Sequence, residues 1–355
     1  MKLAKEIGRI SRLDRYKRPE KVKGAAKLDS NENFALDSEF IAKIAAEAAR
    51  GADLREYPLD ELGHLYGQLA KYIGISEKYI GVGSGSDQII ELLLATLAGR
   101  GSRAIVFVPT FSYFIDRCEL NGIRVDEVPL GKDFELDARK FVRRAKKADL
   151  VYICSPNNPT GNQLDKKTVQ YIIDSLRGKL ILVDEAYADF AGYSLAREAT
   201  RRDNVVVLRT LSKAFGLAGA RVGYMVTNRK LAGAFKSTIQ SPYPISTLSL
   251  TIATRVLERS AQVKKTIEEV KAERKRVFDR LAQVDGIKTY RSDANFLFIE
   301  TGKRYRAIAK ELEKEGIIVR LLGSAAGHSG CMRVAIGTRE MNDRFLSCVE
   351  RAVVA

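Results

Sequence analysis

From residue 79 to about 230, short apolar runs alternate with stretches whose apolar residues recur every three to four positions. The strand-like runs fall at 79–82, 104–108, 125–128, 150–154, 180–183, 205–208 and 222–226. Between several of them lie amphipathic patterns such as 87–98 and 166–176. Strands alternating with helices predict an α/β domain with a mostly parallel sheet. Tyr243-Pro244-Ile245-Ser246 interrupts the pattern, and a long helical region follows from about 249 to 284. Further strands are expected at 296–299, 317–319 and 332–336, which makes this portion α+β. The expected organisation is a large domain over 31–245 and a smaller one over 246–355, with residues 1–30 as an arm or as part of the smaller domain.

The length of 355 residues suits two domains, and 45% hydrophobic residues supply a substantial core. No apolar run reaches the ~18 residues of a membrane span. The basic N-terminus lacks an apolar h-region and a small-residue cleavage site, so it reads as a helical arm and not as a secretory signal. Cys118, Cys154, Cys331 and Cys348 are scattered without a CxxC pair, which predicts neither disulfides nor a zinc site and fits a reducing cytoplasm. His64 and His328 lie far apart, so no histidine metal site or Ser-His-Asp triad is expected, and no metal at all. The net charge of +16 favours anionic partners. Its basic residues are spread along helical faces without interleaved aromatics, which predicts a solvated surface, with neither nucleic acid nor membrane as a partner.

Four segments carry candidate chemistry. Lys213 sits in Thr210-Leu211-Ser212-Lys213-Ala214-Phe215-Gly216, just after a predicted strand, at the sheet edge where α/β proteins bind ligands. Lysine amines form Schiff bases with aldehydes when their pKa is lowered. Arg221, eight residues on, reaches a phosphate with its guanidinium fork, and the hydroxyls of Thr210 and Ser212 add donors. Asp184 ends the run 180–183 and can pair with a pyridinium nitrogen, with Tyr187 donating to a ring oxygen. Asp184 reads equally as a strand-end acid that caps a helix. Ser155-Pro156-Asn157-Asn158-Pro159-Thr160-Gly161 is a tight turn in which an asparagine amide can hydrogen-bond an oxygen on a ligand ring, or simply a turn. Gly83-Ser84-Gly85-Ser86-Asp87 precedes a helical pattern; it is a weak dinucleotide fingerprint but a sufficient cup for one phosphate. Together these are the parts that a pyridoxal-phosphate (PLP) site needs.

The combination resembles the fold-type I PLP enzymes of the class I/II aminotransferase group, and within it the histidinol-phosphate aminotransferases. The resemblance runs from about residue 16 to 338. SPNNPTG at 155–161, DEAY at 184–187 and SKAFGLAG at 212–219 carry the group, and Leu28-Asp29-Ser30-Asn31-Glu32-Asn33 points to the subfamily. It implies a cytoplasmic homodimeric transferase of histidine biosynthesis that acts on anionic small-molecule substrates, with PLP held on Lys213. Asp184 would pair with the ring nitrogen, Asn158 and Tyr187 would flank the ring oxygen, and Phe111 would stack on the ring. Gly85, Ser86, Asp87, Thr210, Ser212 and Arg221 would cradle the phosphate, and Tyr57 would reach the neighbouring subunit's cofactor. Arg333 would bind the carboxylate of glutamate and, with Arg320 and Tyr16, the phosphate of the other substrate; Asn33 would sit near the substrate amine. The family usually follows NEN with a proline and a Gly-Pro turn, whereas this chain has Asn33-Phe34-Ala35-Leu36-Asp37. An aromatic or other amino-acid aminotransferase shares every cofactor residue, and a threonine-phosphate decarboxylase shares the cofactor and a phosphate-binding arginine. A basic DNA-binding regulator is disfavoured, because no helix-turn-helix precedes residue 30 and the lysine is intact.

Overall fold

The computed structural model describes residues 2–13, 24–325 and 327–354. Its strands are β1 (Ala26–Leu28), β2 (Ile80–Ser84), β3 (Arg103–Val108), β4 (Arg124–Pro129), β5 (Leu150–Cys154), β6 (Leu180–Asp184), β7 (Val205–Thr210), β8 (Val222–Val226), β9 (Lys288–Thr289), β10 (Phe296–Glu300), β11 (Ile317–Ala325) and β12 (His328–Ala335). Seven of them form a sheet in the order β2-β8-β7-β6-β5-β3-β4. Only β8 runs against its neighbours. Strands β5, β7 and β8 are buried along their whole length, as expected of a parallel sheet with helices on both faces. Side chains alternate between those faces. Tyr152, Leu182, Leu208 and Met225 pack on one; Val151, Val183, Val207 and Tyr224 pack on the other.

The parallel arrangement brings the carboxyl ends of β2, β3, β5, β6 and β7 to a single edge. Because β8 is antiparallel, its first residue, Val222, pairs with Ser84 at that same edge. Arg221 therefore lands beside the loops that leave the other strands.

The second sheet has the order β1-β11-β12-β10-β9. Short β1 joins it in parallel with β11, Ala26 facing Ile317. Arg320 and Arg333 are direct partners across the β11–β12 pair, so both side chains leave one face. The helical run expected over 249–284 is two helices, Thr247–Glu258 and Ser260–Leu281, broken at Arg259 (φ −97°, ψ 27°). The break has a tertiary cause. The first helix packs on helices Ser38–Gly51 and Glu61–Ile73, and the second turns to cover β9 and β10. Arg255 and Arg259 both reach Glu47 across the first contact. Near the N-terminus, Arg9 of the helix Lys2–Ile10 donates to the carbonyls of Glu119 and Leu120, the orphaned C-terminal end of helix Ser112–Leu120. No described helix is long and apolar enough to cross a membrane.

Candidate active site

A cavity of about 230 Å³ opens at the carboxyl edge of the large sheet. Ser86, Asp87, Phe111, Asn158, Asp184, Tyr187, Thr210, Ser212, Lys213, Arg221 and Arg333, residues far apart in sequence, all line it.

Lys213 reaches the cavity from the loop after β7, and its Nζ donates to the carbonyl of Ser30 at 2.8 Å. Burial, helped by the positive charge of Arg333, pulls its pKa down to about 8. Asp184, the last residue of β6, is fully enclosed. Its carboxylate accepts from the Tyr152 hydroxyl at 2.7 Å and from the Ala186 N–H at 3.0 Å. Burial nevertheless pushes its pKa up to about 6, because two neutral donors do not replace the water it has lost. Tyr187 is buried and its phenol is raised by desolvation, against Arg333 and Asn31, which favour the phenolate. Asn31 Nδ2 donates to the Tyr187 hydroxyl at 2.9 Å. Arg333 donates to the Asn158 side-chain oxygen and to the Asp29 carbonyl, and its guanidinium lies over Phe296, 5.4 Å from the ring centre. Arginine can only donate, so this contact fixes the Asn158 amide with its oxygen towards Arg333 and leaves its NH₂ group for another acceptor.

The anion-binding part is built where helix Gly85–Leu93 starts directly after β2. Its first backbone N–H groups are unpaired by helix geometry and carry the positive end of the dipole. Arg221 closes the cradle from a left-handed backbone (φ 55°), donating to Asp87 at 3.0 Å and reaching the Ser212 hydroxyl at 3.5 Å. Two glycines make the approach possible. A Cβ on Gly85 would lie 2.5 Å from the Arg221 guanidinium, and one on Gly223 would lie 2.2 Å from the Ser86 nitrogen. Gly85 thus stands behind the lining, where it admits Arg221. The Thr210 hydroxyl accepts from the Ser212 N–H at 3.1 Å and steadies the turn that carries Lys213.

Other expected residues lie elsewhere. Asn33 does not line the cavity, where Asn31 stands: its Nδ2 donates to the Ala214 carbonyl at 2.9 Å, and its buried Oδ1 has no hydrogen-bond partner among the described residues. Arg320 is half-buried on the face it shares with Arg333 and is absent from the lining. Tyr57 is 71% exposed and stacks on Tyr243 at 4.4 Å, away from its own chain's cavity. Tyr16 lies outside the described residues. Ser30, Asn31, Tyr113, Cys154 and Ala186 also line the cavity, and Tyr152 holds Asp184 from behind, none of them expected in the site. Strand parity offered a signal for two of these: Cys154 is the register partner of Asp184, and Tyr152 stands two residues before it on the same face.

The model of the family described as aminotransferase class I and II matches residues 23–349. A histidinol-phosphate aminotransferase of Thermococcus gammatolerans is 37% identical over 331 residues, 91% of each chain. One from Ruminiclostridium cellulolyticum is 34% identical over 325 residues, 90% of each. Among solved structures, the histidinol-phosphate aminotransferase of Sinorhizobium meliloti in complex with pyridoxal-5'-phosphate superposes with a TM-score of 0.85 at 26% identity, covering 93% of this chain and 91% of that one. The chain belongs to the class I and II aminotransferase family.

Proposed function

We propose that this chain is a PLP-dependent aminotransferase that exchanges an amino group between histidinol phosphate and the glutamate/2-oxoglutarate pair. One observation carries the cofactor reading: a buried carboxylate and a half-buried amine, each held only by neutral groups, share a cavity with an anion cradle. The donor set fits PLP. Ser86, Asp87, Ser212 and Arg221 suit its phosphate, Asp184 a protonated ring nitrogen, and the Asn158 amide with the Tyr187 hydroxyl its ring oxygen. Phe111 supplies an aromatic wall. When bound, PLP supplies an aldehyde that a lysine amine captures and a ring that draws electrons from the substrate's α-carbon.

The chain's own residues do the rest. A pKa of about 8 leaves roughly one Lys213 in ten neutral at pH 7, so the amine serves as nucleophile and, once released, as proton carrier. A cation against Asp184 removes the cost of its burial and keeps it ionised. Arg333 is assigned the carboxylate of glutamate, and Arg320, across the β11–β12 pair, the phosphate of the alternative substrate together with Tyr16. Both anions then meet one strand pair, which explains how a single site takes each in turn.

The proposed assembly is a homodimer in which Tyr57 reaches the partner subunit's cofactor. Leu54, Tyr57, Leu59 and Tyr243 are exposed, and such apolar surface favours a protein partner. Sedimentation at micromolar concentration is expected to show a dimer, and an active monomer refutes the shared site. A cytoplasmic location is supported by four cysteines that are buried free thiols. The function is tested by mixing the PLP-loaded enzyme separately with histidinol phosphate, glutamate and phenylalanine and following the cofactor's absorbance. Conversion by the first two without release of carbon dioxide is expected. A preference for phenylalanine overturns the substrate assignment, and carbon dioxide release overturns transamination.

A further inference from the structure

Asn31 holds an unusual position. It lies in the cavity wall, 1% exposed, one residue after the Ser30 carbonyl that receives the Lys213 amine. Its backbone is left-handed (φ 56°), a region that asparagine tolerates better than most residues and that clusters at functional sites. The buried Asn295 clamps it there by donating to its carbonyl at 3.0 Å. The two ends of its amide are used unequally. Nδ2 donates to the Tyr187 hydroxyl, whereas Oδ1 is buried and has no hydrogen-bond partner among the described residues. Leaving a buried acceptor unmade is costly. A side-chain oxygen of Asp29, of Asn33 and of Asn295 also lacks a hydrogen-bond partner among the described residues, but of these four residues only Asn31 lines the cavity, where a bound molecule can supply the missing donor.

The surroundings identify that donor. Arg221 and Arg333 in the same cavity take the anionic parts of a ligand and can satisfy no donor. The part of an amino substrate left over is its amine, and the neighbouring Ser30 carbonyl already holds an amine, that of Lys213. We infer that Asn31 has two tasks: its Nδ2 turns the phenolic proton of Tyr187 into the cavity, and its Oδ1 accepts an N–H bond from the amino group of the incoming substrate. Towards Tyr187 it is a positioning residue, and towards the amine a binding residue. The inference rests on the transaminase reading, because it requires an amino substrate.

Three measurements on the PLP-loaded enzyme test it. They are the half-saturation of the single-turnover absorbance change with glutamate and with histidinol phosphate, the equilibrium Kd of glutarate, and the pH midpoint of the cofactor's absorbance. Glutarate is the glutamate skeleton without its amine. Asn31→Gly keeps the left-handed backbone and removes both amide groups. It is expected to raise half-saturation for both amino substrates about tenfold, one lost hydrogen bond, and to leave the glutarate Kd within about twofold. It should also move the pH midpoint in the same direction as Tyr187→Phe. In the Tyr187→Phe background it should leave the midpoint alone and still weaken the amino substrates, a separation that a merely structural role cannot produce. Asn31→Asp keeps an acceptor and loses the donor, so glutamate should bind as in wild type while the midpoint moves. Equal weakening of glutamate and glutarate, an unmoved midpoint, or glutamate loss in Asn31→Asp would each overturn the inference. If wild type uses glutamate but not histidinol phosphate, the substrate proposal fails while the glutamate–glutarate contrast still decides the role of Asn31.

Discussion

At the ends of β6 and β7 the two faces of the sheet hold buried charge in opposite ways. On one face Arg209 donates to Asp189 at 2.7 Å and to Glu185 at 3.3 Å. Ser194 and the Leu195 N–H complete Glu185, and the Tyr72 hydroxyl donates to Asp189. Burial lifts the Glu185 pKa against the pull of Arg209. Arg209 stays firmly protonated: burial works against its charge, but Asp189, Tyr224 and Glu185 outweigh it. On the other face Asp184, adjacent in sequence to Glu185, and Lys213, four residues after Arg209, have only neutral partners. Removal from water therefore yields a closed network behind the edge and, in front of it, two shifted, reactive groups, the enclosed Asp184 and the half-buried Lys213. Pairing decides whether a buried charge is scaffold or chemistry.

The sharpest way to break this comparison is Lys213→Ala. Turnover should fall by more than about a thousandfold, because nucleophile and proton carrier are the same amine. The cofactor-free protein should unfold at no lower temperature than wild type. A variant that turns over at the wild-type rate ends the assignment. Next is Arg209→Met, which strands two carboxylates and is expected to cost about 3–5 kcal/mol in urea unfolding. The folded fraction should keep its kcat within about tenfold, an effect below ~1.4 kcal/mol. Wild-type stability would mean that the network contributes nothing.

Asp184→Asn should do the reverse in the cofactor-free protein. The native pKa of Asp184, about 6, lies above its ordinary 3.8, so the folded state binds the proton more tightly. Its contribution to stability is intact below the unfolded pKa and is lost as pH rises through 6, a cost of about 3 kcal/mol at pH 7 and above. The asparagine variant should therefore melt higher than wild type at pH 7.5, match it near pH 4, and lose catalysis. Equal melting temperatures across that range would show that Asp184 carries no such strain. The smallest effect is expected from Arg320→Ala. It should weaken the phosphorylated substrate by about 2 kcal/mol and spare glutamate, while Arg333→Ala weakens both half-reactions. Half-reaction rates for each variant check this, and an untouched phosphorylated substrate removes Arg320 from the site.

Much of this site was legible without coordinates. Strands expected at 150–154 and 222–226 match β5 and β8, and the end of β6 and the loops that follow β5 and β7 carry Asp184, Asn158 and Lys213 to one edge. Apolar runs closed by Pro, Gly and Ser are local signals, and parallel strands bring their ends together by construction. Less legible were the features set by distant packing. Asn31 and Asn33 are the same residue type two positions apart, and only contact with Tyr187 on one side and Ala214 on the other separates their roles. Tyr152 looks like any core aromatic until Asp184 is placed beside it. Gly223 looks like a gap in a strand until helix Gly85–Leu93 is seated on it.

The sequence by itself determined the alternation of strand and helix, the turn chemistry at each strand end and the set of reactive residue types, because these follow from periodicity and local backbone preference. The tertiary structure alone decided which of two adjacent carboxylates, Asp184 or Glu185, meets a cation. It also decided that the long C-terminal helical run bends at Arg259 and that the amine of Lys213 is depressed. Desolvation and ion pairing depend on groups brought near from elsewhere in the chain, so no local pattern encodes them.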